Sequence, residues 1–189
     1  MIDRRDDSGT GSVRTLLWCI PLFLIVHNAE EALTMPSWLA SNLPLLRSKF
    51  FFFNHLTFSS GQLYISLFLV TIVPLTIAVV VLNKGLTKNS VMLMLTLQSV
   101  IGWNAVVPHV TGTILLGIYN PGLLTAVVIN IPFTFLLFKE ILAFKIINTK
   151  EIKRILMAGA VVYLPLVYLN HVIAENAAAL LMGMLPGIR

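Results

Sequence analysis

The sequence predicts an all-α polytopic membrane protein, a bundle of about five transmembrane helices with an additional interfacial segment. Hydrophobic residues make up 57% and charged residues 11% of the 189-residue chain, whereas a soluble domain carries about 25% charged residues. Several apolar runs reach the roughly 20 residues that cross a bilayer as a helix. These runs are continuously apolar rather than alternating, which favours helices over a β-barrel.

The first span is predicted from about Thr15 to Met35. Pro36 is expected to end it, because proline lacks a backbone donor and restricts the residue before it. Residues Ser37 to Asn54 mix aromatic, basic and apolar side chains in a way typical of the membrane interface, so we predict a short interfacial helix there. Residues 1–13 are predicted to be a disordered tail, and residues 14–189 a single transmembrane domain.

Four more apolar spans follow, separated by turn residues or basic segments. Proline inside a span predicts a kink, most clearly at Pro108 of the third span. Asn120-Pro121-Gly122 is typical of a tight turn. The predicted elements are the second span Thr57–Leu82, the third span from Asn89 or Ser90 to Ile118, the fourth span Gly122–Phe138, a basic connector Lys139–Arg154, and the fifth span Ile155–Leu181.

The distribution of basic residues predicts the orientation. With the amino terminus in the cytoplasm, ten of the thirteen lysines and arginines fall in cytoplasmic segments, as the positive-inside rule requires. The carboxyl terminus is then outside, and a bacterial inner membrane is the expected location. The formal charge of +5 is attributed to these loops rather than to nucleic-acid binding.

Three ionisable side chains lie in the first span where hydrocarbon is expected. The segment His27-Asn28-Ala29-Glu30-Glu31 ends an apolar run that begins at Leu16. Helix positions three and four apart share a face, so His27, Glu30 and Glu31 point the same way. Such groups cost roughly 2.5–3.5 kcal/mol each on insertion scales, and they therefore usually face a protein interior with partners.

Polar residues of other spans are expected at the same level, near the outer leaflet. At the rise of an α-helix, His27, His109 and His171 lie about 18, 28 and 24 Å from the starts of the first, third and fifth spans. Glu175 is one turn beyond His171 on the same face. Further polar residues are expected to converge there from the third and fourth spans and the turn between them: Asn104, Tyr119 and Asn130.

Histidines and carboxylates placed together in this way predict a divalent metal site. Imidazole and carboxylate suit zinc, iron or manganese. Helical bundles build metal centres from Glu and His spaced three or four apart on facing helices. The candidate ligands are His27, Glu30, Glu31, His109, His171 and Glu175.

Three sequence blocks resemble the HXXEE family of small integral membrane proteins. They are His27-Asn28-Ala29-Glu30-Glu31, then Asn104 to His109, then Tyr119-Asn120-Pro121-Gly122, in family order over roughly residues 18–131. Four residues separate Asn104 from His109, where the family pattern has three, and a kink at Pro108 would compensate. The family has no established reaction, and the resemblance implies a membrane enzyme that depends on a metal. The resemblance supports the choice of site residues but does not identify the reaction.

The leading hypothesis is a metal-dependent, hydrolase-like membrane enzyme acting on a lipid or other amphipathic substrate. The histidines and one glutamate would hold the metal, and the other glutamate, Glu30 or Glu31, would act as general base. Asn104 and Tyr119 would orient the substrate or stabilise developing charge. The alternatives are a proton- or ion-coupled transporter and a non-catalytic assembly factor. Glycine-rich helix faces would permit a homodimer.

The same residues can also be interpreted as purely structural. His27, Glu30 and Glu31 could form a hydrogen-bonded cluster that fixes helix packing. His171 and Glu175 could satisfy each other as a local pair one turn apart. Asn104 and Asn130 are residue types that often join helices by hydrogen bonds.

Overall fold

Five long helices make up the part of the chain that the computed structural model describes, residues 7–184. Each is long and apolar enough to cross a membrane, which confirms the predicted all-α class and the five spans. A 3₁₀ turn, Phe51–His55, lies between the first two helices. The helices are α1 (Asp7–Lys49), α2 (Ser60–Asn83), α3 (Lys88–Leu116), α4 (Leu123–Ala143) and α5 (Thr149–Met184).

Local hydrogen bonds explain where three of the helices begin. In a capping box, the side chain before the first turn and a side chain three residues later each bond the other's backbone N–H group. This reciprocal pair starts α2, α3 and α5 and satisfies donors that the helix itself leaves free. The pairs are Ser59 with Gln62, Thr87 with Ser90, and Asn148 with Glu151.

The two ends of the bundle differ in character. The end that contains Lys88, which we call the Lys88 end, has an apolar core and an ion pair of 2.6 Å between Lys88 and Glu151. The opposite end, called the Tyr119 end, contains the turn between α3 and α4. Buried polar side chains are concentrated between the apolar core and this turn. The apolar core includes Leu17, Ile20, Leu82, Met94, Leu95, Leu137 and Ile141.

Helix α1 is longer than predicted at both ends. It runs through Pro36 and Pro44 to Lys49, so the predicted stop at Pro36 and the separate interfacial helix are wrong. Membrane helices tolerate proline because neighbouring groups and local adjustments satisfy the freed backbone. The indole Nε1 of Trp38 donates to the Tyr119 carbonyl at 2.6 Å, which fastens this extension to the α3–α4 turn.

The limits of the predicted tail and connector also change. Helix α1 already includes residues 7–13, which were predicted to be disordered, while residues 1–6 lie outside the described residues. The basic connector is shorter than predicted, because α4 continues to Ala143 and α5 begins at Thr149. Residues 185–189 also lie outside the described residues.

Two helices contain a π-helical segment, and the two segments pack against each other. In α3 the segment is Ala105–Thr111, which includes Pro108, and in α4 it is Ala126–Asn130. A π-helix bonds residue i to i+5 and therefore makes a wider turn than an α-helix. The kink predicted at Pro108 is thus accommodated as a local change of helix type.

Candidate metal centre

Side chains from α1 and α3 meet in a buried cluster formed by His27, Glu31 and His109. His27 is 0%, His109 1% and Glu31 9% exposed. The two imidazole Nε2 atoms are 3.2 Å apart, and Oε1 of Glu31 is 3.3 Å from Nε2 of His109. One ligand atom from each of the three residues lies within 4.8 Å of the others.

The π segment of α3 places Asn104 on the same side as His109. In a π-helix, residues five positions apart lie on the same face, one turn apart. The side chains of Asn104 and His109 therefore point the same way although four residues lie between them. The amide Nδ2 of Asn104 is 3.3 Å from Nε2 of His109 and 3.4 Å from Nε2 of His27. Its Oδ1 accepts from the hydroxyl of Tyr163 on α5 at 3.3 Å.

The α3–α4 turn fixes which nitrogen of His109 carries a hydrogen. Nδ1 of His109 is 2.6 Å from the carbonyl oxygen of Pro121. A carbonyl only accepts, so Nδ1 donates, and Nε2 of the neutral ring has a free lone pair directed at the cluster. The α3–α4 turn can lie this close to the His109 ring because Gly122 has a φ of 83°, a left-handed conformation that glycine adopts without steric cost.

His27 is held by a chain of two hydrogen bonds that ends on Glu30. Its Nδ1 is 2.7 Å from the Thr125 hydroxyl, and that hydroxyl donates to Oε2 of Glu30 at 2.6 Å. Since the only hydroxyl hydrogen goes to the carboxylate, the Thr125 oxygen accepts from Nδ1 of His27. Nε2 of the neutral His27 ring therefore also has a free lone pair directed at the cluster.

Three electron-pair donors consequently face one another in a buried space. The Nε2 atoms of His27 and His109 and the Glu31 carboxylate repel one another unless a cation lies between them. Within the described residues, the polar contact recorded at the Glu31 carboxylate is the one with Nε2 of His109, which carries no hydrogen in this tautomer. The Asn104 amide is a neutral donor near both Nε2 atoms, at distances near the limit of a hydrogen bond.

The spacing of these atoms fits a bound divalent ion. Ligands about 2.1 Å from one tetrahedral ion lie roughly 3.4 Å from each other. The observed 3.2 and 3.3 Å separations are close to that value. Histidines that bind metal usually donate their second N–H to a carbonyl or carboxylate, as His109 does directly and His27 does through Thr125.

A comparison with known families places these residues in a shared motif. A family model described as "Protein of unknown function with HXXEE motif" matches residues 18–137, more than half of the chain. The chain belongs to the HXXEE family. No curated protein and no solved structure matched the chain. The HXXEE motif itself is His27 to Glu31, and two of its residues, His27 and Glu31, lie in the cluster.

The two glutamates of the HXXEE motif have different contacts. Glu31 faces the two histidines, whereas Glu30 faces the start of α4. Glu30 accepts from the backbone N–H groups of Leu124 at 3.2 Å and Thr125 at 2.8 Å, and from the hydroxyls of Thr125 and Tyr119. Glu30 was predicted as a ligand or general base. In the structure its carboxylate caps the start of α4, where the helix dipole favours negative charge.

Tyr119 also lies beside the centre rather than in it. Its hydroxyl donates to Glu30, which is two further hydrogen bonds from the His27 ring. Its predicted catalytic role stays a prediction, and its hydroxyl contacts the Glu30 carboxylate and not the three clustered side chains. Partial burial of the hydroxyl and its hydrogen bond to the Glu30 carboxylate raise the pKa of Tyr119 to about 12.

This raised pKa predicts a dependence on alkaline pH. Because the folded protein holds the Tyr119 proton more tightly than the unfolded chain, where the pKa is about 10, the contribution of Tyr119 to stability is complete below pH about 10. It is lost as pH rises through about 12. Ultraviolet titration of tyrosinate should show a late-ionising tyrosine that Tyr119→Phe removes. A titration unchanged by Tyr119→Phe would contradict this assignment.

His171 and Glu175 lie away from the cluster. Nδ1 of His171 is 3.2 Å from the Gln62 amide, and Oε1 of Glu175 accepts from Thr57 at 2.5 Å. Helix α5 begins six residues before the predicted start, which moves His171 about 9 Å nearer to the Tyr119 end than predicted. Tyr163, about 12 Å before His171 along α5, is level with Asn104 instead.

Sequence reasoning did not single out Thr125 and Tyr163. Both are hydroxyl residues in apolar spans, and Thr125 follows the Tyr119-to-Gly122 block by three residues. Asn130, which was predicted to converge on this level, is 1% exposed. Among the described residues, its Nδ2 atom has no hydrogen-bond partner.

Proposed function

We propose that this member of the HXXEE family is a metal-dependent membrane enzyme of the hydrolase type, acting on a lipid or other amphipathic substrate. The observation that carries the proposal is the convergence of two imidazole lone pairs and a carboxylate, each ring oriented from behind by a hydrogen-bond acceptor. Two histidines and one glutamate are the protein ligands of several catalytic zinc sites, and a similar set binds non-haem iron.

Three protein ligands favour a catalytic centre over a purely structural one, because structural zinc sites use four. His27, His109 and Glu31 would hold the ion, and zinc, iron or manganese suits this set. The ion would polarise a substrate oxygen and lower the pKa of a water molecule. The Asn104 amide, near both Nε2 atoms, would donate to an oxygen of the substrate.

The surroundings support an amphipathic substrate. The cluster lies within helices whose outer faces are apolar, so a substrate that reaches it from the membrane needs an apolar part. With the orientation predicted from the basic residues, the cluster faces the outer leaflet. Glu30, Thr125 and Pro121 would keep the two imidazole rings in the tautomer that exposes Nε2.

Metal analysis of the purified protein tests the centre. We expect one zinc, iron or manganese ion per chain in the wild type, and its loss in His27→Ala, His109→Ala and Glu31→Ala. Loss of a ligand should weaken binding by more than the 10–100-fold that follows loss of a ligand's hydrogen-bond partner. His171→Ala and Glu175→Ala are matched controls and should keep the ion. Wild-type protein without metal after several purification procedures would refute the proposal.

A second experiment tests the reaction. Reconstituted protein incubated with membrane lipids in water labelled with heavy oxygen should give a product that carries one labelled oxygen, as hydrolysis requires. Glu31→Ala should abolish the product, and Glu175→Ala should not. Solute uptake that depends on Glu31 without any labelled product would instead identify a transporter.

A further inference from the structure

A second polar group lies at the Tyr119 end, between the start of α2 and the last turns of α5. It borders a cavity of about 250 Å³, separate from the HXXEE cluster. This volume is suited to a headgroup rather than to a whole drug-sized ligand, whose pockets measure about 300–1,000 Å³. The cavity wall combines polar and apolar residues, among them Thr57, Ser59, Gln62, Glu175, Ala178 and Met182.

The cavity lies at the level expected for lipid headgroups. Helix α2 has 24 residues and rises about 36 Å, which exceeds the roughly 30 Å hydrocarbon core. Its first turn, which borders the cavity, therefore lies near the membrane surface. The preceding turn, Phe51–His55, and the basic residues Arg47 and Lys49 at the end of α1 are typical of that interface.

Glu175 gives the cavity a negative charge. One carboxylate oxygen accepts from Thr57 at 2.5 Å, and across the described residues no hydrogen bond to the other oxygen is recorded. Within residues 7–184, no lysine or arginine nitrogen is recorded within 4.0 Å of this carboxylate. A carboxylate at the edge of a bilayer is best stabilised by a cation, so the chemistry of the wall favours a positively charged ligand.

The remaining polar atoms favour a primary ammonium group over a quaternary one. Thr57 gives its hydrogen to Glu175, so its oxygen remains an acceptor, as does the Ser59 hydroxyl. Together with Glu175 they match the three N–H donors of an ammonium group. Quaternary groups are bound by cages of several aromatic rings, whereas Phe58 is the aromatic residue of this wall.

The polar wall is also fixed in place before any ligand arrives. Gln62 is 3% exposed, takes part in the capping box with Ser59 and contacts the His171 ring at 3.2 Å. The ring of Phe58 packs against the same His171 ring, with centroids 5.6 Å apart. Residues held by such contacts lose little freedom on binding, which favours affinity.

We propose that this cavity binds the primary ammonium headgroup of a phospholipid of the phosphatidylethanolamine type. Glu175 makes the ion pair, Thr57 and Ser59 accept hydrogen bonds, and the acyl chains remain in the bilayer outside the cavity. This site is distinct from the HXXEE cluster, and it does not require that the proposed metal chemistry be correct.

Native mass spectrometry of the full chain in detergent tests the proposal. After delipidation, phosphatidylethanolamine, phosphatidylcholine and phosphatidylglycerol are added in equal amounts. The wild type should retain one phosphatidylethanolamine in preference to the other two. Glu175→Gln should bind it about tenfold more weakly, the loss expected for one hydrogen-bonded charge. Excess free ethanolamine should displace the lipid, and tetramethylammonium should not.

Two further variants make the result specific. Glu140→Gln changes a half-buried carboxylate near the Lys88 end and should leave the lipid preference intact. Ala179→Leu fills the cavity without changing its charge and should weaken binding as Glu175→Gln does. Equal binding of the three lipids by the wild type, or unchanged binding in Glu175→Gln, would overturn the proposal. Metal content in the same samples separates the two sites, since Glu175→Gln should keep its ion and Glu31→Ala should keep its lipid.

Discussion

Gly122→Ala is expected to prevent binding of the proposed metal ion and to destabilise the protein by several kcal/mol. A Cβ atom at this position would lie 2.6 Å from Cε1 of His109 and 2.9 Å from Cε1 of His27. Neither ring can move aside without breaking the hydrogen bond that orients it. The left-handed backbone adds roughly 1–2 kcal/mol, and overpacking adds about 1–3 kcal/mol.

Gly117→Ala is the matched control for this variant. Gly117 also has a positive φ, of 70°, at the end of α3, but a Cβ there would meet no atom within 4 Å. It should show the backbone cost without the collision, so its metal content should stay at the wild-type level. Thermal melts and metal analysis of both variants check the prediction. Equal metal content in Gly122→Ala and Gly117→Ala would contradict the described packing.

Glu30→Ala is expected to lower both stability and metal affinity, although Glu30 does not face the cluster. It removes the acceptor of two hydroxyls and two backbone N–H groups. A lost hydrogen bond to a charged group costs about 1.5–3 kcal/mol, and these bonds are not additive, so we expect about 2–5 kcal/mol in total. Metal affinity should fall about 10–100-fold.

The loss of affinity in Glu30→Ala has a specific cause that can be observed. Without the carboxylate, the acceptors left to the Thr125 hydroxyl are Nδ1 of His27 at 2.7 Å and the Gly122 carbonyl at 3.3 Å, and we expect the shorter contact to take the hydrogen. The ring hydrogen then belongs on Nε2, where it points into the cluster and removes the lone pair that would bind the metal. Nitrogen-labelled histidine spectra of the metal-free protein should show this tautomer change in Glu30→Ala.

Tyr119→Phe separates this effect from general destabilisation. It removes one donor to Glu30 but leaves the hydrogen bonds from Thr125 in place. The His27 tautomer and the metal content should therefore remain as in the wild type. If Tyr119→Phe and Glu30→Ala have the same effect on the tautomer, the proposed role of Thr125 is wrong.

Much of the fold could be predicted because the relevant signals are local. The length of each apolar run defines the spans, and the polar pairs around Ser59 and Thr87 mark the starts of α2 and α3. The course of α1 through Pro36 and Pro44 could not be predicted in this way. Its stability there depends on partners distant in sequence, such as the bond from Trp38 to Tyr119.

The candidate site was predictable to a different degree for each residue. His27, Glu31 and His109 stand out because buried ionisable groups in apolar spans need partners. Thr125 does not stand out, because a threonine in a membrane helix commonly bonds its own helix, as Thr76 does with the Ile72 carbonyl. His171 was misplaced in depth because the start of its helix was misjudged.

The π-helical segment of α3 also determines how other members of the family should be aligned. Loss of one residue there would turn the wide turn into an ordinary α-turn, in which positions four apart share a face. The amide of Asn104 and the imidazole of His109 would still meet, because the one-residue difference in spacing would change only the type of that turn. A one-residue gap between these positions in an alignment would therefore mark a change of helix type and not the loss of the site.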